Sequence, residues 1–522
     1  MNKQQFEPYL NIPKEKFEIS KREENLRDVK LDTKPVGYLR DAFRRFCKNR
    51  ASVVAAIIIL LIVVYAIFVP LFTFRFDANF LDTYYAKMGP RNLALSKIGL
   101  AQGAVIRDSA EKDYIYYLGL GIAAEDTDGT GKTWEDGRNS KYNPVLGVKD
   151  QYEFMGANRY ELKIESYYEV GFKYMQLTRE EYENIEAWEK ESGLKVLYPY
   201  IDVNSGYCFD GTDANFWYKT DAKLNPIVTS SGSPVIISKV GQLQLEDNYL
   251  RDSQGNVRYY VNVGGSATTE PARMARVLYY NYYVYKNGFE PEYLLGTDSQ
   301  GYDMSLRLAQ GIKLSLLVAI AVSAINLTIG ALYGAVEGYY GGALDLTLER
   351  VSDILSGIPF IVVATLFQLH LATKVGAIPS LLFAFVATGW IGTASTERTQ
   401  FYRFKNQEYV LAARTLGARD FRVMFKHILP NALGTIITSS VLVIPGVIFS
   451  ESMLSYLGIV KLGGSSGTSL GTLLSDASGI WTNYPHLMII PAIVIALLMI
   501  TFNLFGNGLR DAFNPSLRGS EG

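Results

Sequence analysis

The stretch EYVLAARTLGARDFRVMFKHILP, residues 408–430, is a polar, basic island between two apolar runs without charge, 379–396 and 431–450. Nothing from Glu408 to Leu416 breaks a helix, and Ala412 and Ala413 sit together on it. Gly417 can take the φ > 0 that ends a helix and turns the chain. Asp420 is placed to start a second short helix, which Pro430 ends or bends into the next segment. The island therefore reads as a helix–turn–helix hairpin held at a membrane surface. Two adjacent alanines let another protein's backbone come close, while Arg414, Arg419, Arg422 and Lys426 supply charge.

Glu408, three residues, Ala412-Ala413, three residues, Gly417 and a later Leu429-Pro430 resemble the coupling loop of ABC-importer permeases. The form His427-Ile428-Leu429-Pro430-Asn431 is similar to the dipeptide, oligopeptide and nickel branch, of the oligopeptide permease C type. The resemblance implies that the loop sits in a cleft of an ATP-hydrolysing subunit. It implies a coupling role for Glu408, Ala412, Ala413, Arg414, Gly417, Arg419, Leu429 and Pro430. The competing reading of the spacing is an ordinary cytoplasmic loop, basic because such loops are.

The chain has 522 residues and a formal net charge of −1, which implies no nucleic-acid partner. The charge is unevenly spread. Residues 73–300 hold most of the acid, and the remainder is basic and contains the long apolar runs. That is the composition of a membrane protein with one large polar insertion. The two cysteines, Cys47 and Cys208, fall on opposite sides of the membrane in the topology below and cannot pair. An exported domain without disulfides suits a bacterial surface protein. His370, His427 and His486 are scattered without ligand spacing, so neither a transition-metal site nor a nucleophile–base pair is expected.

In chain order, residues 1–38 read as a cytoplasmic tail, with no secretory signal. The basic amphipathic stretch 39–50, LRDAFRRFCKNR, keeps the N-terminus inside by the positive-inside rule. Residues 51–72 are long enough to span and carry no charge, with Pro70 near the outer end. Residues 73–303 are then an external α+β domain rich in tyrosine, with a helix over 178–191 and strands at 234–240 and 257–263. Residues 272–286, ARMARVLYYNYYVYK, read as a tyrosine-lined helix returning to the membrane. An interfacial aromatic belt is the favoured account of its rings, ahead of a ligand surface. Asp126-Thr-Asp128-Gly-Thr-Gly131 has acids spaced as at the start of a calcium loop, but Gly137 stands where the closing acid belongs. A solvated acidic turn is favoured over a cation site there.

Residues 295–315 resemble the family segment that enters the second span, with Leu-Gly-Thr-Asp and a later glycine; Tyr302 stands where the family usually has arginine. Gly338-Tyr-Tyr-Gly-Gly342, then Asp345, Arg350 and Asp353, resembles the family's second cytoplasmic signature. Asp345, Glu349, Arg350 and Asp353 can pair on one helix face, as a solvated helix start or as packing for the coupling hairpin. Spans are expected at 314–336, 354–373, 379–396, 431–456 and 486–507. Gly357 and Pro359 loosen the second of these. A Gly/Ser-rich outer loop covers 459–484. Glu451 lies near the outer end of its span. An acid at that depth is costly unless it faces a pore or a partner, so Glu451 and Ser452 are expected on the translocation path or at a subunit seam.

The expected fold is an α-helical polytopic membrane protein: six transmembrane helices, both termini cytoplasmic, and an inserted α+β extracellular domain between helices 1 and 2. The parts are a cytoplasmic segment 1–50, a first helix 51–72, the domain 73–303, a core 304–513 with coupling loop 397–430, and a tail 514–522. The resemblance covers the basic stretch 39–50, the first helix and everything from about residue 295, and not the external domain. It implies a permease subunit of an ATP-driven importer for oligopeptides or dipeptides, in a bacterial cell membrane. The implied partners are a second homologous permease, two ATP-binding subunits that hold ATP and magnesium, an extracellular substrate-binding protein, the peptide and the lipid bilayer. The chain itself hydrolyses nothing, having no G-x-x-x-x-G-K-[ST] loop. A nickel or small-solute importer and a surface receptor are the alternatives.

Overall fold

In the computed structural model the described residues are 38–71, 80–129, 134–201, 249–265, 270–464 and 467–513. Residues 1–37 and 514–522 of the expected tails, Cys208, the strand at 234–240 and residues 130–133 in and after the calcium-like loop lie outside them. The amphipathic stretch is helix α1, Tyr38–Lys48, with Arg45 paired to Asp41 one turn back at 2.8 Å. Asn49 ends it and starts α2, Arg50–Phe68, by accepting from the Ser52 backbone N–H at 3.3 Å. Apolar on every side, α2 suits lipid and not a surface. One small-residue side rests on the last helix, where the Ser52 hydroxyl donates to the Leu504 carbonyl at 3.1 Å.

Two short arms close on each other where the chain leaves α2 and where it returns to the core. The Thr297 hydroxyl donates to the Tyr85 carbonyl at 2.5 Å and accepts from the Met88 N–H at 2.8 Å. Asp298 accepts from the N–H groups of Gln300, Gly301 and Tyr302 at 2.9 Å each and from Arg307 at 3.1 Å. Gly296 is required here: its φ is +79°, and a Cβ would lie 2.2 Å from the Met88 carbonyl oxygen. The Leu-Gly-Thr-Asp motif is thus a staple between residues 80–91 and 293–303. The Arg91 N–H donates to the Tyr293 carbonyl at 2.8 Å, so the inserted module, 92–292, begins and ends at one point.

The module is α+β, as expected. Strands β1 (Ala104–Ala110), β2 (Val145–Phe154) and β3 (Ala157–Glu165) form an antiparallel sheet in the order β1-β3-β2. In the second sheet, β7 (Ala272–Leu278) pairs with β4 (Phe172–Leu177), β5 (Leu197–Tyr198) and β6 (Tyr260–Val263). Its longer helices are α3 (Glu111–Glu125), α4 (Arg179–Ser192) and α5 (Tyr279–Asn287). The Thr178 side chain caps α4, and Gly193, at φ +71°, ends it.

The helix expected over 272–286 is corrected: 272–278 is the central strand of a sheet, and helix begins only at Tyr279. Ala, Arg and Met favour helix locally, but three strands need this segment as their partner, and tertiary pairing overrides propensity. Nor do its tyrosines form an aromatic belt. Tyr279, Tyr280, Tyr282 and Tyr283 are buried in the module's own core with Tyr85, Tyr167, Tyr198 and Tyr293.

The core continues as α6 (Met304–Tyr340), α7 (Gly342–Ser356), α8 (Phe360–Val375), α9 (Ala377–Gly389), α10 (Ile391–Phe404), α11 (Glu408–Thr415), α12 (Leu429–Tyr456), α13 (Leu470–Ala477) and α14 (Pro485–Phe513). Among the described residues five helices are long and apolar enough to cross a membrane, or six if α7 and α8 form one broken span. These two meet at a 73° bend, where a single span was expected over 354–373. Pro359 has no N–H to continue a helix and restricts the residue before it, which forces the break. Helix α6 has 37 residues, about 55 Å at 1.5 Å each, and extends past the expected span at both ends. Against it lies α10, backbone to backbone: Cβ atoms on Gly334 and Gly338 would come within 2.2 Å of the Ala394 oxygen and 2.6 Å of the Arg398 oxygen.

The expected outer loop 459–484 is not irregular throughout. It holds α13, capped by Ser469, with Leu470, Leu473 and Ala477 buried at helical spacing. The Gly/Ser composition on either side hid that period.

Candidate functional site

The hairpin forms at 408–430 from the residues that suggested it. Helix α11 ends on Gly417 at φ +81°, with the Gly417 N–H bonded to the Arg414 carbonyl at 2.9 Å and the Ala418 N–H to the Ala413 carbonyl at 3.0 Å. This six-to-one closure satisfies the carbonyls that a helix end leaves open. The second arm differs from expectation. Asp420–Arg422 starts a helix that widens into π turns over Val423–Ile428 and runs without a stop into α12. Pro430 neither ends nor isolates it. It is the second residue of α12, and the wider π turn before it absorbs the missing N–H and the ring. The Asn431 amide donates back to the His427 carbonyl at 2.8 Å and to the Tyr409 hydroxyl on α11 at 3.2 Å. The His-Ile-Leu-Pro-Asn form is therefore a tie between the two arms.

One side of the hairpin is seated and the other is open. Val410, Val423, Met424 and Ile428 are buried against Ala335 and Tyr339 of α6 and Phe401 of α10. The Tyr339 hydroxyl donates to Asp420 at 2.5 Å, and the Arg414 guanidinium lies 4.9 Å over the Tyr339 ring. Nothing local marks Tyr339 as the seat; its partners lie far along the chain. Glu408, Ala412, Arg414, Gly417, Arg419 and Pro430 are exposed, while Ala413 and Leu429 are half-buried. Leu416 is 89% exposed and Phe421 73%, a large apolar display for a basic hairpin.

The acids after Gly341 do not pair as expected. Only Arg350 and Asp353 meet on α7 itself, at 2.9 Å. Asp345 and Glu349 turn to α10, where Arg398 binds both. Lys405, in the turn between α10 and α11, donates to the Gly338 carbonyl at 2.8 Å. Burial holds its ammonium below the ordinary lysine range; Asp345 opposes the shift and Arg414 adds to it. Neither Arg398 nor Lys405 carries a spacing signal in the sequence. The helix expected to stop at 396 runs on to Phe404, so Arg398 belongs to a helix rather than to the loop.

Glu451 is only 1% exposed in the single chain. It accepts from three hydroxyls of its own chain: Ser315 at 3.0 Å, Ser455 at 3.0 Å and Ser469 at 2.7 Å. Where a pore- or seam-facing acid was expected, the single chain encloses Glu451, with the Ser469 cap of α13 closing over it. Ser452 is buried beside it, where a Cβ on Gly471 would meet its Cα at 2.6 Å. In the module, Asp126 is buried at the end of α3 and accepts from the Tyr249 hydroxyl at 2.5 Å, and Asp128 follows in the turn. Asp126 thus faces the interior, unlike a solvated acidic turn. No group of three His, Cys, Asp or Glu able to hold a metal occurs among the described residues.

Two family profiles match the chain. One, "Binding-protein-dependent transport system inner membrane component", covers residues 326–519. The other, "N-terminal TM domain of oligopeptide transport permease C", covers residues 37–90. The oligopeptide transport system permease protein OppC of Bacillus subtilis is 39% identical over 44% of this chain and 73% of its own length. The dipeptide transport system permease protein DppC of Lactococcus lactis is 38% identical over 44% of this chain and 67% of its own. Among solved structures, the inward-facing MetNI methionine ABC transporter covers 40% of this chain and 98% of its own at 16% identity with a TM-score of 0.33, so the sequence relatives carry the comparison.

Proposed function

The chain belongs to the family of binding-protein-dependent transport inner-membrane components, in its oligopeptide and dipeptide permease branch, and from that premise we propose that it forms half the pore of an ATP-driven peptide importer. The other half is a related permease. Two ATP-binding subunits below hold ATP and magnesium, and a substrate-binding protein delivers peptide from outside. The chain spans six times with both ends inside, counting α7–α8 as one span. It catalyses no reaction itself. Closure of the ATPase pair moves the hairpin, and the hairpin moves α6, α10 and α12 between two packings that open the path on alternate sides.

The observation that supports this most is the two-sided hairpin. Its rear is fixed to Tyr339, while Leu416 and Phe421 remain largely exposed among the described residues, Phe421 resting only on the Phe425 ring. The inserted module lies outside, over the pore mouth, and its acidic residues make polar, reversible contact with the binding protein.

Disulfide cross-linking tests the reading. With Cys47 and Cys208 changed to serine, Leu416→Cys should cross-link to a single cysteine in the cleft of a co-expressed ATP-binding subunit, with a yield that changes between ATP and ADP. A transport-competent complex in which no hairpin position cross-links to that subunit would refute it.

A further inference from the structure

We propose that Arg398 is a positioning residue for transport, clamping α7 to α10 so that the first arm of the broken span travels with the coupling hairpin. This rests on the permease reading above and adds the path by which motion leaves the hairpin. Arg398 makes four hydrogen bonds to two carboxylates on successive turns of α7. Nε and Nη2 reach the Asp345 oxygens at 2.6 and 2.9 Å, and Nη1 and Nη2 reach the Glu349 oxygens at 2.9 and 3.1 Å. Two forked contacts of this kind fix orientation as well as distance. The Tyr402 hydroxyl, one turn further along α10, adds a bond to Asp345 at 2.5 Å.

The rest of α7 has little other hold on the chain. Asp345 is its one buried residue. Leu344, Leu346, Val351 and Ile354 are all exposed. A further tie, the Tyr333 hydroxyl to the Leu348 carbonyl at 2.8 Å, comes from α6. At its other end α7 turns through 73° into α8, so a displacement of the arm is carried into the membrane as a tilt. Arg398 lies ten residues before α11 on a helix that leads into the hairpin, and its backbone packs against Gly338 of α6. The clamp therefore joins a lightly packed arm to the element that the ATPase moves.

The test is the number of peptides taken up per ATP hydrolysed, in proteoliposomes containing the complete importer and its binding protein. Arg398→Ala should still hydrolyse ATP in response to loaded binding protein while uptake per ATP falls by at least about fivefold. Arg398→Lys, a point charge without the fork, should fall in between. An unchanged ratio in Arg398→Ala overturns the proposal, since a residue that only stabilises the fold would lower both rates together. If Arg398→Ala fails to assemble, the Asp345→Asn, Glu349→Gln double variant is measured in its place, with the same fall expected and an unchanged ratio again decisive. Wild-type vesicles without ATP-driven uptake would instead defeat the permease reading itself.

Discussion

Glu451 shows how burial decides what an acid does. Its two oxygens have three serine hydroxyls within 3.0 Å, on α6, on α12 and at the cap of α13. Glu451→Leu leaves those buried donors without an acceptor. It should cost about 2 kcal/mol or more of stability, read by thermal unfolding in detergent, while uptake per folded complex holds. Unchanged stability with lost uptake would return Glu451 to the transport path. At this scale the sequence was legible where partners are close along the chain. Glu408, Ala412, Ala413 and Gly417 show by their spacing the helix and turn they form. Tyr339 and Arg398 could not be read in that way. They act on residues 81 and 53 positions away, and only the close approach of α6 to α10 brings those together.

Among elements, the long apolar helices were plain from composition, and the irregular ones were not. The 73° break, the π turns before Pro430 and the capped helix in the Gly/Ser region all arise from local backbone chemistry inside runs with one average character. The inserted module is the element whose limits matter most for experiment. Expected from residue 73 to 303, it shares its buried core with Tyr85, Met88 and Tyr293 of the two arms, and its ends meet at Arg91 and Tyr293. Deleting 92–292 and joining the ends with a short flexible bridge removes the module and spares the Thr297 staple. The shortened chain should insert and assemble, since loop closure at adjacent ends is cheap. Binding-protein docking and uptake should fall. Near-normal uptake would show the module to be a spacer.

For the molecule as a whole, the account is one of transmission. A basic hairpin is seated on the C-terminal end of α6, α10 is packed against that helix along a glycine face, and a lightly held arm is clamped to α10. Closely packed interfaces of this kind shift between discrete arrangements and do not deform smoothly. The sequence carried the family and the hairpin; the three-helix junction behind the hairpin emerges only in the fold. Gly417 is where the account is most exposed. At φ +81° it cannot become proline, whose ring fixes φ near −65°, yet a Cβ there meets nothing within 4 Å. The change thus strikes the turn and little else. The decisive measurement is ATP-driven, binding-protein-dependent uptake of labelled peptide by vesicles containing Gly417→Pro beside wild type. The account predicts normal membrane insertion with uptake abolished, and wild-type uptake by Gly417→Pro would contradict it.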